Sequence, residues 1–168
     1  MREGDEEMDV KNPTTLVVPS PVGPLTLTAE GGALTAIDFG APAGFADGAP
    51  TASPLLTEAA RQLAAYFTGE LREFDLPLRP SGTPFQLAVW EALRRIPYGA
   101  TVTYGELARG IGRPTAARAV GGANHRNPLA IVVPCHRVIG ADGTLTGYAG
   151  GLDIKSALLA VESGRTQG

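Results

Sequence analysis

The stretch Ile131-Val132-Val133-Pro134-Cys135-His136-Arg137-Val138 carries the only cysteine of a 168-residue chain. One thiol makes no intramolecular disulfide and no cysteine-cluster zinc site. Beside a histidine, at the end of an apolar run, it has two readings: a nucleophile, or a small residue filling core space. The nucleophile reading sets requirements. Free cysteine is mostly protonated at neutral pH, so Cys135 needs a base or a positive field. His136 is adjacent, but neighbours on an extended chain point to opposite faces. Contact therefore needs a turn or one bridging water. His136 in turn needs an acceptor to orient its ring, and Glu162, in the last helical segment, can reach back. This predicts a Glu162–His136–water–Cys135 relay; the competing reading of His136 is a satisfied structural histidine.

Working outward, Leu129–Val133 is too short for a helix and β-branched in part, which predicts a buried strand delivering Cys135. Upstream, Thr83 is a good N-cap and Pro84 suits a first helical position; Phe85, Val89, Trp90 and Leu93 make the apolar stripe, and Pro97-Tyr98-Gly99 ends the segment. Thr103 caps a short helix over 104–109, closed by Gly110 and Gly112. Arg113-Pro114 leads into a second, over 115–124. Two short helices across a Gly-containing turn form a helix-turn-helix pattern. Ala116, Ala117, Ala119, Gly121, Gly122 and Ala123 make the second helix thin, with Arg118 as its most prominent side chain. That slimness serves close approach to another surface, tight packing on the helix of Trp90, or both. Downstream, Asp142-Gly143 marks a turn before Thr144–Tyr148, and Ala149-Gly150-Gly151 permits close backbone approach. A final helix over 153–162 packs through Ile154, Ala157, Leu158 and Val161.

The first half reads differently. Residues 1–13 form an acidic leader. Strands are predicted at Thr14–Val18, Leu25–Glu30 and Ala33–Phe39 in a meander, followed by a Gly/Ala/Pro loop over 40–53. A helix over 54–69, with Ser53 as N-cap, presents Leu55, Leu56, Ala59, Leu63, Tyr66 and Phe67 on one face. Phe74-Asp75-Leu76 is a candidate returning strand, and 76–83, with Pro77, Pro80 and Gly82, is a linker. The predicted organisation is a leader, an N-terminal α/β domain over 14–80 and a C-terminal domain over 84–168, an α+β class overall.

Composition excludes several classes. A hydrophobic fraction of 43% and a mean hydropathy of +0.04 fit a soluble protein, and no apolar run approaches the roughly 20 residues of a membrane span. The acidic start lacks the basic-then-apolar layout of a signal peptide. With a single thiol, that gives an expectation of a cytoplasmic protein with no membrane partner. The net charge of −3 argues against nucleic acid taken alone, but its distribution does not. Residues 1–83 carry 5 Lys/Arg and 12 Asp/Glu, whereas 84–168 carry 9 Lys/Arg, 8 of them Arg, and 5 Asp/Glu. The basic half is suited to an anionic partner, against chance scatter of surface charge as the alternative.

Pro134-Cys135-His136-Arg137-Val138 resembles the acceptor motif of the O6-alkylguanine-DNA alkyltransferases. The likeness runs from Phe85 to Gly164 through Tyr98-Gly99, Thr103-Tyr104-Gly105-Glu106-Leu107-Ala108, Ala117-Arg118-Ala119-Val120-Gly121-Gly122-Ala123, Asn127-Pro128, Gly147-Tyr148-Ala149-Gly150-Gly151 and Glu162. The first half resembles the family more loosely, through Ser20-Pro21-Val22-Gly23-Pro24-Leu25 and Tyr66-Phe67-Thr68-Gly69-Glu70.

This resemblance implies a ribonuclease-like N-terminal domain and a C-terminal helix-turn-helix that enters the minor groove of double-stranded DNA, where a thin helix fits. It implies that the damaged nucleotide is flipped out of the duplex. Arg118 then fills the vacated stack, while Thr115, Ala117 and Gly121 lie along the DNA face. Tyr104 helps turn the target phosphate, borders the pocket and assists departure of the base. Cys135 attacks the alkyl carbon on guanine O6, with O4-alkylthymine as a further expected substrate. Asn127 braces the turn before the acceptor. The carbonyls of Cys135 and Val138 take the guanine amino group, and the backbone N–H of Ala149 donates to O6. Pro134 and Tyr148 wall the pocket, and Gly150 leaves room for the alkyl group. The product is S-alkylcysteine, so each molecule acts once, as a monomer and with no methyl-donor cofactor. Some relatives hold zinc in the N-terminal domain through Cys and His; this chain has neither before residue 125, so no metal is expected. Two other classes remain at this stage: a module that binds alkylated bases without repairing them, and a Cys–His hydrolase that turns over through an acyl-enzyme.

Overall fold

Three antiparallel strands, β1 (Thr14–Val18), β2 (Leu25–Glu30) and β3 (Ala33–Phe39), pair in sequence order. The structure is a computed structural model and describes residues 13–42, 53–148 and 150–164. Its backbone divides into two units, Met1–Pro80 and Ser81–Gly168.

In the first unit, register places Leu16 opposite Leu27 and Leu27 opposite Ile37. One apolar row thus crosses all three strands, as period-2 alternation requires. Helix α1 (Pro54–Phe67) covers this sheet with Leu56, Ala59, Leu63 and Tyr66, all buried. Ser53 caps it, its hydroxyl accepting from the N–H of Leu56 at 3.1 Å. Buried Gln62 clasps the returning chain: its Nε2 donates to the Asp75 carbonyl at 3.1 Å, and its Oε1 accepts from the Asp75 N–H at 2.9 Å. The return differs from the expected strand at Phe74-Asp75-Leu76. Among the described residues its one β-bridge to the sheet joins Leu78 to Leu34, inside the segment read as a linker. The side-chain clasp satisfies Asp75's backbone where a strand would have used the sheet. Residues 1–12 of the expected leader, and 43–52 of the expected loop, lie outside the described residues.

The second unit is helical. Helix α2 (Pro84–Leu93) begins with a capping box, Thr83 Oγ1 accepting from Gln86 N–H and Gln86 Oε1 from Thr83 N–H. Helix α3 (Tyr104–Gly110) repeats the device with Thr103 and Glu106. A turn containing Gly112, at φ 79°, leads to α4 (Ala117–His125). This helix starts two residues later than expected, leaving Thr115 and Ala116 in the turn, and no side chain caps it. Trp90 on α2 donates its indole N–H to the Ala123 carbonyl of α4 at 2.8 Å. The small residues of α4 therefore do serve tight packing. Helix α5 (Leu152–Glu162) closes the unit, and β4 (Val102–Thr103) pairs in parallel with β5 (Val138–Ile139).

The expected strand over Leu129–Val133 is not one. All five residues are buried, but they run through tight turns, with the Val133 N–H donating to the Leu129 carbonyl at 2.9 Å. Ile131 sits at φ 74°, a left-handed conformation that costs a β-branched residue about 1–2 kcal/mol. Asn127 holds the segment closed: its Oδ1 accepts from Leu129 N–H at 2.9 Å and its Nδ2 donates to the Val133 carbonyl at 2.7 Å. The apolar run reflected complete burial rather than strand period.

Leu63 is 2% exposed and Leu87 39% exposed. Leu63→Ala should destabilise the first unit by about 2–5 kcal/mol through lost burial and a cavity. Leu87→Ala should stay within about 0.5 kcal/mol. Urea unfolding followed by circular dichroism checks both.

Candidate active site

Cys135-His136-Arg137 form a single 3-10 turn, supplying the bend that an extended chain lacks. The turn is closed by the Arg137 N–H donating to the Pro134 carbonyl at 3.0 Å, and by the Val138 N–H donating to the Cys135 carbonyl. Behind it lies a buried ion cluster. His136 Nε2 is 2.7 Å from Glu162 Oε2. Arg137 reaches the same carboxylate in a fork, Nε to Oε1 and one terminal nitrogen to Oε2, both at 2.8 Å. Its other terminal nitrogen donates to the Ile96 carbonyl at 2.6 Å, and its guanidinium lies 5.7 Å from the centre of the Tyr98 ring. The Gly99 N–H adds a longer bond to Glu162 Oε1 at 3.3 Å.

The electrostatics assign protons. Burial raises the Glu162 carboxyl, but bonds from His136 and Arg137 outweigh it and hold the group at about 2. An ionised carboxylate only accepts, so Nε2 of His136 carries a hydrogen. Burial pushes His136 below its ordinary value despite Glu162, which makes the neutral ring the form present at neutral pH. Its Nδ1 therefore holds a lone pair. That atom is buried and bonds no protein atom among the described residues.

Cys135 is 6% exposed, and burial raises its thiol. The Asn127 amide, the Tyr148 hydroxyl and the Lys155 charge act in the other direction. Lys155 was not among the residues expected at the site. It is fully buried, donates to the Thr146 carbonyl at 2.8 Å, and is pushed down by burial while Cys135 pulls it up. The only signal in the sequence was a lysine inside the last helix, where helical period alone does not distinguish a buried from a snorkelling side chain. Arg137 and Asn124 were also unassigned. Buried Asn124, on α4, donates to the Cys135 carbonyl at 3.3 Å. With the Val138 N–H, that carbonyl already takes two donors, so it meets a guanine amino group only as a further partner.

The remaining expected residues fall as follows. Tyr104, half-buried at the start of α3, accepts from the Thr146 hydroxyl at 3.2 Å. A Cβ built on Gly121 would meet the Tyr104 ring at 3.7 Å, an ordinary contact. Arg118 is exposed in the first turn of α4, beside half-buried Ala117 and exposed Thr115, while His125 is exposed at its end. Pro134, Val138 and Tyr148 are buried and Gly150 is half-buried; Ala149 lies outside the described residues. Among the described residues, no group of three or more His, Cys, Asp or Glu side chains gathers where it could hold a metal ion, and no helix is long and apolar enough to cross a membrane.

A mixed α+β chain with a helix-turn-helix, and a buried thiol backed by a His–Glu–Arg cluster, defines a cysteine-acceptor class with a DNA-binding unit. Residues 15–80 match the family model for the 6-O-methylguanine DNA methyltransferase ribonuclease-like domain. Residues 84–164 match the model for the DNA binding domain of the same family. The chain belongs to the O6-methylguanine-DNA methyltransferase family. A methylated-DNA–protein-cysteine methyltransferase of Methanosarcina barkeri is 52% identical over 153 residues, covering 87% of this chain and 94% of that protein. One from Mycobacterium tuberculosis is 52% identical over 164 residues, covering 88% and 91%. A crystal structure of Mycobacterium tuberculosis OGT in complex with DNA superposes with a TM-score of 0.80 at 52% identity, covering 90% of this chain and 93% of that one.

Two outcomes test the electrostatics. Glu162's folded-state value lies below its unfolded one, so its contribution to stability is present above about pH 4.5 and is lost as pH falls toward 2. Glu162→Gln should flatten that part of the stability–pH curve. It should also cost about 3–5 kcal/mol at neutral pH, because Arg137 is left buried without its counter-charge. Thermal melts across pH 2–7 check this. Lys155→Met removes a cation that favours the thiolate, so the Cys135 thiol should titrate higher and react more slowly at neutral pH. The pH dependence of iodoacetamide capture reads this directly.

Proposed function

We propose that this protein repairs alkylated DNA by direct reversal, moving the alkyl group from O6-alkylguanine onto Cys135. The observation that carries this reading is a buried thiol in one tight turn with a neutral His136, whose ring is held by Glu162. The Cys135 proton passes through one water to His136 Nδ1. The sulfur attacks the alkyl carbon; the S–C bond forms, the C–O6 bond breaks, and the electron pair goes to guanine. Guanine gains one proton, with Tyr104 assisting, which balances the one the thiol lost. The thioether is not readily hydrolysed, so each molecule acts once, and no cofactor enters the balance. The same chemistry extends to O4-alkylthymine.

The lesion lies inside double-stranded DNA, so the nucleotide is flipped out at a few kcal/mol of unstacking. Exposed Arg118 on slim α4 fills the vacated stack in the minor groove, with Thr115, Ala117 and Gly121 along the same face. Asn127 braces the acceptor loop; Pro134, Val138, Tyr148, Ala149 and Gly150 line the base and alkyl pocket. In this assignment residues 84–168 form the DNA-binding and acceptor domain and 14–80 the N-terminal α/β domain, in a monomer that works in the cytoplasm.

Incubation with a duplex containing O6-methylguanine should place one methyl on the Cys135 peptide by mass spectrometry, and none in Cys135→Ser, which should still bind. An intact lesion beside folded wild type overturns the reading; multiple turnovers per molecule favour a hydrolase. Arg118→Ala should slow repair in duplex far more than reaction with free O6-benzylguanine, and equal losses count against the stacking role.

A further inference from the structure

Thr146 lies outside every role assigned above, yet it joins Tyr104 to Lys155, the cation that acts on the thiol. Its hydroxyl donates to the Tyr104 oxygen at 3.2 Å. Its carbonyl accepts from the Lys155 ammonium at 2.8 Å. Lys155 is fully buried on α5, so the carbonyl end of Thr146 is anchored to the core, beside the cation that faces Cys135. Tyr104 is half-buried on α3. Among the described residues, Thr146 is the group that hydrogen-bonds its hydroxyl.

Either of two hydroxyls can donate to the other; the direction with Thr146 as the donor has a chemical consequence. A phenol has one hydrogen and one oxygen that accepts. When Thr146 donates to the oxygen, the Tyr104 hydrogen is left to point elsewhere. Accepting a bond also favours negative charge on the oxygen as its proton moves away, because a hydrogen bond to the charged form stabilises it. The two bonds of a Thr–Tyr–base chain strengthen one another. The group that needs such a donor is the base leaving from the alkyl carbon.

We infer that Thr146 is a positioning residue for Tyr104: its hydroxyl turns the phenolic O–H toward the departing guanine and supports the oxygen as the proton is given up. The inference rests on the alkyl-transfer reading above. In balance, the base receives the Tyr104 proton as the C–O6 bond breaks. The phenolate recovers a proton from solvent, matching the one released by Cys135 to His136. The buried Lys155–Thr146 bond keeps the hydroxyl in place through the step.

The test compares Thr146→Val, which keeps shape and removes the hydroxyl, with Thr146→Ser, which keeps the donor. Two reactions are read for each variant: methyl transfer from O6-methylguanine in duplex DNA, and capture by iodoacetamide, whose iodide leaves without a proton. Thr146→Val should slow methyl transfer about tenfold, the scale of one positioned hydrogen bond. Thr146→Ser should restore it to within about twofold, and neither change should alter iodoacetamide capture or its pH profile. Unchanged or faster methyl transfer in Thr146→Val overturns the inference, since it means Tyr104 was donating into Thr146. Equal loss in both reactions also overturns it, because Thr146 then acts on the thiol or on the fold. Wild type in the same assay separates the two levels: transfer by wild type with no effect of Thr146→Val removes this inference alone, and no transfer by wild type removes both.

Discussion

The Glu162 carboxylate is the constraint on which the rest of the C-terminal unit depends. It sits on α5 and receives two nitrogens of Arg137, the Nε2 hydrogen of His136 and the N–H of Gly99. Those donors come from the acceptor turn and from the loop after α2. A buried carboxylate costs several kcal/mol unless it is paired and hydrogen-bonded, and the pairing repays that only when the geometry is good. The fork from Arg137 meets that condition. It also makes the local charge balance come out near zero without a second proton on His136. The ring can therefore remain neutral beside a carboxylate and keep a basic nitrogen.

The thiol lives under opposing influences. Burial favours S–H, while Lys155, Asn127 and Tyr148 favour the thiolate. A fully exposed thiol would ionise more easily but would also meet every oxidant in solution. A buried thiol with a base behind it is shielded from bulk solvent. That arrangement suits a group that is consumed in a single reaction.

The link from helix α4 to the Cys135 turn is short. Helix α4 is locked to α2 through Trp90 and Ala123, and its Asn124 amide reaches the Cys135 carbonyl. Arg118 lies in the first turn of the same helix. Displacing α4 would therefore move the backbone of the acceptor turn, and small residues along the helix allow the close packing that makes this coupling stiff.

Local chemistry made much of this legible. The strand limits at 14–18, 25–30 and 33–39 follow from β-prone runs between Gly and Pro turns, and Ser53, Thr83 and Thr103 cap the helices their spacing indicated. The Cys135–His136 pair and its Glu162 partner were readable because only a few residue types can perform that chemistry. What the chain alone did not reveal has a common cause. The Leu129–Val133 segment is turned rather than extended, because a side chain two residues upstream satisfies its backbone; period carries no trace of that. The burial of Lys155 and Arg137, Asn124's reach to the Cys135 carbonyl, and the Thr146–Tyr104 bond all join residues distant in sequence. Residue identity determined which reactions were available to this protein. The tertiary structure decided which way each proton points, because desolvation and long-range hydrogen bonds exist only once the chain has closed on itself.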